Sequence, residues 1–379
     1  MSSSEVPALF APPAAVAEHP AVAAAHDVAE RVLAPRAAES DDPAVGVRRD
    51  ALQDVAKAGL LSVTVPARDG GYGADARTDA ETVEILAGAC GATWFVGTQH
   101  RNSQALALGG SAALPDGAVR TGPAAETYRT ALATASQRGG IAIAHLRRPG
   151  PPAVTAEPDG DGWRLRGHSD WCTGWGLTDL VMIGAVAPGE RYLFVLVPAG
   201  ERSGLVAGAP LPLAVMGGTR TVAIDLDGLA VGPEAVLADV DIAPYRALDA
   251  ARTADVKPAA LGLLRRVLTE LERLGHDRDR PDAVELALAL AHEAAPRRTD
   301  AYALLTEVPV TERTQERVAL RGELAALTVR AAQGLVAARS GSAMLSSSPE
   351  QRWAREAMFY LVQGQTPPVR AAQLAALRG

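Results

Sequence analysis

Cysteine occurs only twice in the 379 residues, at Cys90 and Cys172. Two cysteines make neither a disulfide framework nor a four-ligand zinc site, so no metal is expected and a reducing, cytoplasmic setting is. Aromatic residues are scarce at 4%. The 48% of apolar residues is rich in alanine, which reads as helix-rich. No apolar run approaches the ~20 residues that span a bilayer. Residues 1–20 lack a basic start followed by a compact apolar core, so no secretory signal is expected. Basic runs are missing too. Net charge is −7 with both signs interspersed, which argues against nucleic acid and against a membrane surface as partners.

What the chain does have is a pattern that changes twice. Apolar spacing is helical up to about Gly139-Gly140, strand-like to about residue 240, and helical again from Leu248. Three domains follow: a helical one over 1–139, an antiparallel β domain over 140–240 and a helical bundle over 241–379.

In the first part, Ala21 to Ala38 can form a helix packed loosely on the rest. Val47, Leu52, Val55, Leu60 and Leu61 fit an amphipathic helix ending near Gly59. Val83, Leu86, Ala87 and Cys90 put one buried stripe on a helix over 79–90, and residues 93–108 make another. Cys90 reads as a small core residue. Asp69-Gly70-Gly71-Tyr72-Gly73 lacks the Lys-Ser/Thr of a phosphate loop and reads as a turn-forming connector.

In the second part, residues 141–146 read as a strand. Residues 154–157 and 163–166 flank Asp159-Gly160-Asp161-Gly162, a hairpin turn. Residues 180–186 and 192–197 are buried strands, and Val222, Ile224 and Leu226 alternate. In the third part, Leu261, Leu264, Leu268, Leu271 and Leu274 form a heptad-like stripe. A helix entered at Pro281 carries Val284, Leu286, Leu288 and Leu290. Leu320, Leu324, Leu327 and Ala331 continue the pattern, and a last helix covers 350–362. Four such helices bury their apolar faces as a bundle.

Two polar clusters stand out. Gly167-His168-Ser169-Asp170-Trp171-Cys172-Thr173-Gly174-Trp175 follows the hairpin. Side chains alternate along a strand, so Trp171 and Thr173 point to one face and Cys172 to the other. An indole beside a hydroxyl can hold a planar heteroaromatic and hydrogen-bond its edge. The same pair also reads as a buried tryptophan with a threonine satisfying backbone. Gln99-His100-Arg101-Asn102 is a polar group beside Trp94 and Phe95. His100 either is hydrogen-bonded on a polar helix face or lines a pocket as an acid or base.

The stretch around Trp171 resembles the Trp-Ile-Thr/Ser-Asn-Gly element of the acyl-CoA dehydrogenase superfamily. Gly59 to Pro66 with Gly70-Gly71-Tyr72-Gly73 is similar to that family's first signature. Met216-Gly217-Gly218-Thr219-Arg220-Thr221 and residues 226–233 resemble its second middle-domain element, and Pro349-Glu350-Gln351-Arg352-Trp353-Ala354-Arg355-Glu356 its late arginine helix. The likeness spans residues 45–370. It implies a mostly α fold with a central antiparallel β domain: a helical N-domain, a β-barrel-like middle domain and a C-terminal four-helix bundle. It also implies FAD, an acyl thioester as small-molecule substrate, and a homodimer or homotetramer.

By this resemblance, Trp171 and Thr173 lie against the flavin ring, and the helix carrying His100 reaches the acyl pocket. The family's Thr-Glu-Pro flavin strand becomes Leu146-Arg147-Arg148-Pro149, which puts Leu146 and Arg147 at cofactor-contacting positions. The two arginines could take a phosphate or a substrate carboxylate, or sit on the surface at a strand end. Ser340-Gly341 stands where a glycine-rich turn meets a neighbouring subunit's cofactor. Thr366 is retained from the segment that carries the family's base, but Gly364 stands where the base glutamate belongs, next to Gln363. Asp255 is the only carboxylate near the alternative base position. Three readings follow: α,β-dehydrogenation of an acyl thioester, a flavin-dependent monooxygenase that has no use for the glutamate and calls on His100, and a non-catalytic partner subunit.

Overall fold

The computed structural model describes residues 4–109, 114, 115 and 117–378. Numbering helices of nine residues or more, the N-terminal part contains α1 (Pro20–Val28), α2 (Arg49–Lys57), α3 (Ala76–Ala89), α4 (Gly91–Ala107) and α5 (Pro123–Ala133). The segment expected to pack loosely is well anchored. Ala21, Val22, Ala25, Val28, Leu33 and Ala37 are all buried. The helix is nevertheless interrupted, passing through a π turn at Ala29–Leu33 and a 3-10 turn at Ala34–Arg36. Helices α3 and α4 are divided at Cys90. Its backbone leaves the helical region, and its Sγ accepts the Thr93 N–H.

The glycine loop after α2 is a connector, as expected. Gly70 has φ +92°, and a Cβ on Gly71 would collide with the carbonyls of Ser62 and Val65. Only glycine fits so close a backbone approach.

The nine strands are β1 (Val119–Thr121), β2 (Gly139–Ala142), β3 (Val154–Asp159), β4 (Gly162–Cys172), β5 (Leu180–Ala187), β6 (Arg191–Pro198), β7 (Leu205–Ala207), β8 (Val222–Val231) and β9 (Val236–Asp241). They form one sheet in the order β1-β9-β6-β5-β3-β4-β8-β7, with β2 alongside β5. Pairing is antiparallel except for β2 and β3 against β5. The hairpin closes at Asp159 and Gly162 across a two-residue turn. Strand β5 is buried on both faces, which explains its unbroken apolar run. Ile183, Ala185, Leu193 and Val195 face one core; Met182, Tyr192, Phe194 and Leu196 pack beneath α4 and α5.

The strand expected over 141–146 stops at Ala142. Residues Ala144–Arg147 turn as a 3-10 helix instead. Two bonds hold that turn: His145 Nε2 to the Gly184 carbonyl at 2.8 Å, and Tyr192 Oη donating to the Leu146 carbonyl at 3.1 Å. Leu146 and Arg147 therefore project from a turn, not from a ladder.

The C-terminal part holds α6 (Ile242–Ala254), α7 (Pro258–Asp277), α8 (Pro281–Glu307), α9 (Thr314–Arg339), α10 (Pro349–Val362) and α11 (Pro367–Ala376). The α7 stripe is the bundle's axis: Leu261, Leu264, Leu268 and Leu271 are fully buried. Each contributes about 2–3 kcal/mol relative to exposure. In α8 only Leu290 of the four predicted positions is buried, and Leu286 is exposed. Alternate residues on a helix cannot share a face. Helix α11, absent from the sequence reading, packs on α9 where Gly322 meets the backbone of Ala372 and Gln373.

Candidate functional site

The end of β4 does not follow the expected alternation. Ser169 pairs with Ile224, but Cys172, three residues on, pairs with Val222, two residues on along β8. This bulge turns Trp171 out, 45% exposed, and leaves Cys172 buried. Burial pushes the Cys172 thiol up to about 12, so it is inert at neutral pH. Thr173 begins the turn after the strand and is buried. Its Oγ1 lies 3.1 Å from that of Thr221, which lies 2.9 Å from that of Thr219; Thr219 in turn donates to the Met216 carbonyl at 2.8 Å. Thr219 gives its proton to Met216, so its oxygen accepts from Thr221, and Thr221 in turn accepts the Thr173 proton.

The turn after Thr173 packs on α4, where a Cβ on Gly174 would stand 3.0 Å from Val96. The Met216–Thr221 segment reaches the bundle through Asp41, which accepts the Met216 N–H at 2.7 Å and Arg355 of α10 at 2.6 Å. Thr173 thus sits where sheet, N-terminal helices and bundle meet.

His100 lies apart from this edge. It is buried, accepts the Gly139 N–H at Nδ1 (3.1 Å) and places Nε2 2.9 Å from the Leu132 carbonyl. One nitrogen accepts and the other donates, which is the neutral tautomer. Burial lowers its pKa to about 4. The structure makes His100 a strut between α5 and β2, not a wall of a pocket.

The arginines at the 3-10 turn are both engaged. Arg148 pairs with Asp170, beside Trp171. Arg147 meets Asp249 of α6 through two bonds of 2.7 Å. Beyond it lies Gly364, φ +57°, where a Cβ would find only Thr253 Cγ2 at 3.8 Å and Arg147 Nη1 at 3.9 Å. A Cβ at position 364 would thus make ordinary contacts, one of them with a cation. Asp255, the carboxylate nearest the alternative base position, is paired with the buried Arg317. Thr366 caps α11 on the same loop, and its carbonyl accepts the Arg370 N–H at 2.9 Å.

Two further cations at this place escaped the sequence reading. Lys257 donates to the Arg252 carbonyl at 2.9 Å, and Arg321 donates to those of Thr253 and Gln363. Burial and then the neighbouring Arg321 push Lys257 down to about 7; burial and then Arg147 hold Arg321 at about 10. One signal was available: Lys57 and Lys257 are the only lysines among 37 basic residues.

Ser340 and Gly341 are elsewhere. They follow the far end of α9, 19 residues beyond Arg321, roughly 28 Å along the helix. Arg280 places Nη1 3.4 Å from Ser340 Oγ. One chain does not bring them to the edge that carries Trp171 and Arg147.

Residues 17–115 match the family model of the acyl-CoA dehydrogenase N-terminal domain. Structural likeness extends over the whole chain. Butyryl-CoA dehydrogenase from Megasphaera elsdenii is 16% identical, with 98% of this chain and 100% of that one covered and a TM-score of 0.72. The N-terminal residues match that family's model, and the chain as a whole has the acyl-CoA dehydrogenase fold. The same fold is seen in a nitrososynthase from Micromonospora carbonacea var. africana, 18% identical, 98% of each chain covered, TM-score 0.74. It is seen also in a glutaryl-CoA dehydrogenase from Mycobacterium smegmatis in complex with FADH2, 15% identical, covering 100% and 95%, TM-score 0.74. No curated protein sequence is significantly similar to the chain.

The residues at this edge fit the ring of a flavin. An indole left 45% exposed at a sheet end offers an apolar face to a planar ring, and a threonine whose hydroxyl is bonded only to another hydroxyl stands two residues on. Among the described residues no helix is long and apolar enough to cross a membrane.

Proposed function

We propose that the chain is an FAD-dependent oxidoreductase that works without a carboxylate base, in the manner of an oxygen-using monooxygenase and not of an α,β-dehydrogenase. The observation that carries this is Gly364. Position 364 has no side chain and faces Arg147, while Asp249 and Asp255 are each held by an arginine. Abstracting an α-proton needs a free base within reach of the carbon. A carboxylate already paired to a guanidinium is a poor one.

A bound flavin would supply electron exchange with the substrate or with oxygen. Trp171 would cover one face of the ring, Thr173 would meet its edge, and Leu146 and Arg147 would border it. Ser340 and Gly341 would serve the cofactor of a second copy. Met358 and Val362 on α10, Leu374 on α11 and Leu377 just past its end are exposed apolar residues that such a copy would cover, in a homodimer or homotetramer. We place the protein in the cytoplasm, where the free, buried Cys90 and Cys172 stay reduced.

The test is the visible spectrum of the purified protein after loading with FAD. Uptake should be tight, and Trp171→Ala should weaken it about tenfold, roughly the 1–3 kcal/mol of a stacked ring. Anaerobic butyryl-CoA should leave the flavin coloured, whereas supplied reduced flavin should drive oxygen consumption. Bleaching by an acyl-CoA would restore dehydrogenation. A colourless protein that takes up no flavin would leave the non-catalytic partner subunit.

A further inference from the structure

The charges around Gly364 do not balance. Among the described residues, the two carboxylates at this place are Asp249 and Asp255, already paired with Arg147 and Arg317. Among the described residues, Lys257 and Arg321 hydrogen-bond only to carbonyls, and Asp255, which favours both charges, is shared with Arg317. The two cations hold consecutive carbonyls, those of Arg252 and Thr253, at the C-terminal end of α6. A helix end presents about half a negative charge, against the full charge of Arg321 and the partly protonated ammonium of Lys257. A guanidinium as buried as Arg321, 3% exposed, is costly to leave without a counter-charge.

The excess charge reaches solvent. Gly364 lies beside Arg147, whose side chain is 44% exposed, and Lys257 is half-buried. Arg321 also grips the Gln363 carbonyl at 2.6 Å, so the cations and the loop of Gly364 share one frame.

We propose that Lys257 and Arg321, with Arg147 at the rim, form the seat for a carboxylate of the substrate, so that the molecule turned over is an acid-bearing one. A planar guanidinium and a point-charge ammonium together match a carboxylate's two oxygens. This adds a substrate class to the function proposed above and rests on it for the use of the site. The seat itself can be tested with or without flavin.

The experiment titrates the full-length protein with succinate by calorimetry at fixed ionic strength, before and after FAD loading. Succinamide serves as the neutral control and inorganic phosphate as the competing anion. Succinate is expected to saturate one site per chain, and succinamide not to bind. Lys257→Gln should raise the succinate Kd about tenfold or more, and Lys257→Arg should restore it. A thermal melt confirms that each variant is folded. Equal binding of succinate and succinamide, an unchanged Kd in Lys257→Gln, or phosphate binding as tightly as succinate would each overturn the carboxylate seat. Lys257-dependent succinate binding in a protein that takes up no flavin would keep the seat and remove the oxidoreductase reading. Flavin uptake without succinate binding would do the reverse.

Discussion

Arg147 and Asp249 meet through two hydrogen bonds of 2.7 Å and tie the turn after β2 to α6. Asp249→Asn would release Arg147 as a third unbalanced cation beside Gly364. Stability should fall by about 1 kcal/mol at most, because the pair is partly exposed. Succinate affinity should rise several-fold. Calorimetry and a urea melt read both effects. Weaker succinate binding in the variant would mean that Arg147 faces away from the seat.

Gly364→Glu would place a carboxylate beside Arg147, at the position where the resemblance puts a base glutamate. The φ of +57° costs a side chain about 1–2 kcal/mol, and the new carboxylate would be drawn to Arg147. We expect succinate binding to be lost and butyryl-CoA still not to bleach the flavin. Bleaching by this variant would show that the missing base alone separates the chain from dehydrogenation.

Removing His100 should cost stability. His100→Ala leaves the Gly139 N–H unpaired in the core, while the Leu132 carbonyl keeps its bond from Gln104 at 3.0 Å; the loss is roughly 1–3 kcal/mol in a denaturant melt at pH 7. The wild-type ring has a native pKa of about 4, below its ordinary 6.5. Its contribution is therefore complete above pH 6.5 and lost as pH falls through 4. The variant's melt should lack that acid-side component. A loss of flavin turnover out of proportion to the loss of folded protein would return His100 to the chemistry.

Glu356 has the opposite sign. It is buried on α10 with Arg352 Nε 3.6 Å away, and burial raises its pKa from 4.5 to about 7. The native state then holds a proton that the unfolded state releases. Stability should fall by roughly 1.4 kcal/mol per pH unit between about 4.5 and 7, then level off. Glu356→Gln should flatten that slope. A wild-type melt that is level across the window would show that the carboxyl is ionised throughout.

Much of this was readable before any coordinates. The hairpin turn at Gly160-Asp161, the unbroken apolar run of β5 and the leucine stripe of α7 are local patterns, set by strand and helix periods. Motif order along the chain indicated the architecture. The glycine at position 364 was visible as a missing glutamate.

The tertiary structure decided what those residues do. A bulge between β4 and β8 turned Trp171 outward and sent Thr173 into a hydroxyl ladder, where strict alternation had joined them. Two backbone groups, 32 and 39 residues along the chain, made His100 a strut. Lys257 and Arg321 became one charged site because the end of α6 and the loop after α10 come together. Periodicity records which face of an element is buried; it carries no record of which distant charges share that burial, and the chemistry of this site is set by those charges.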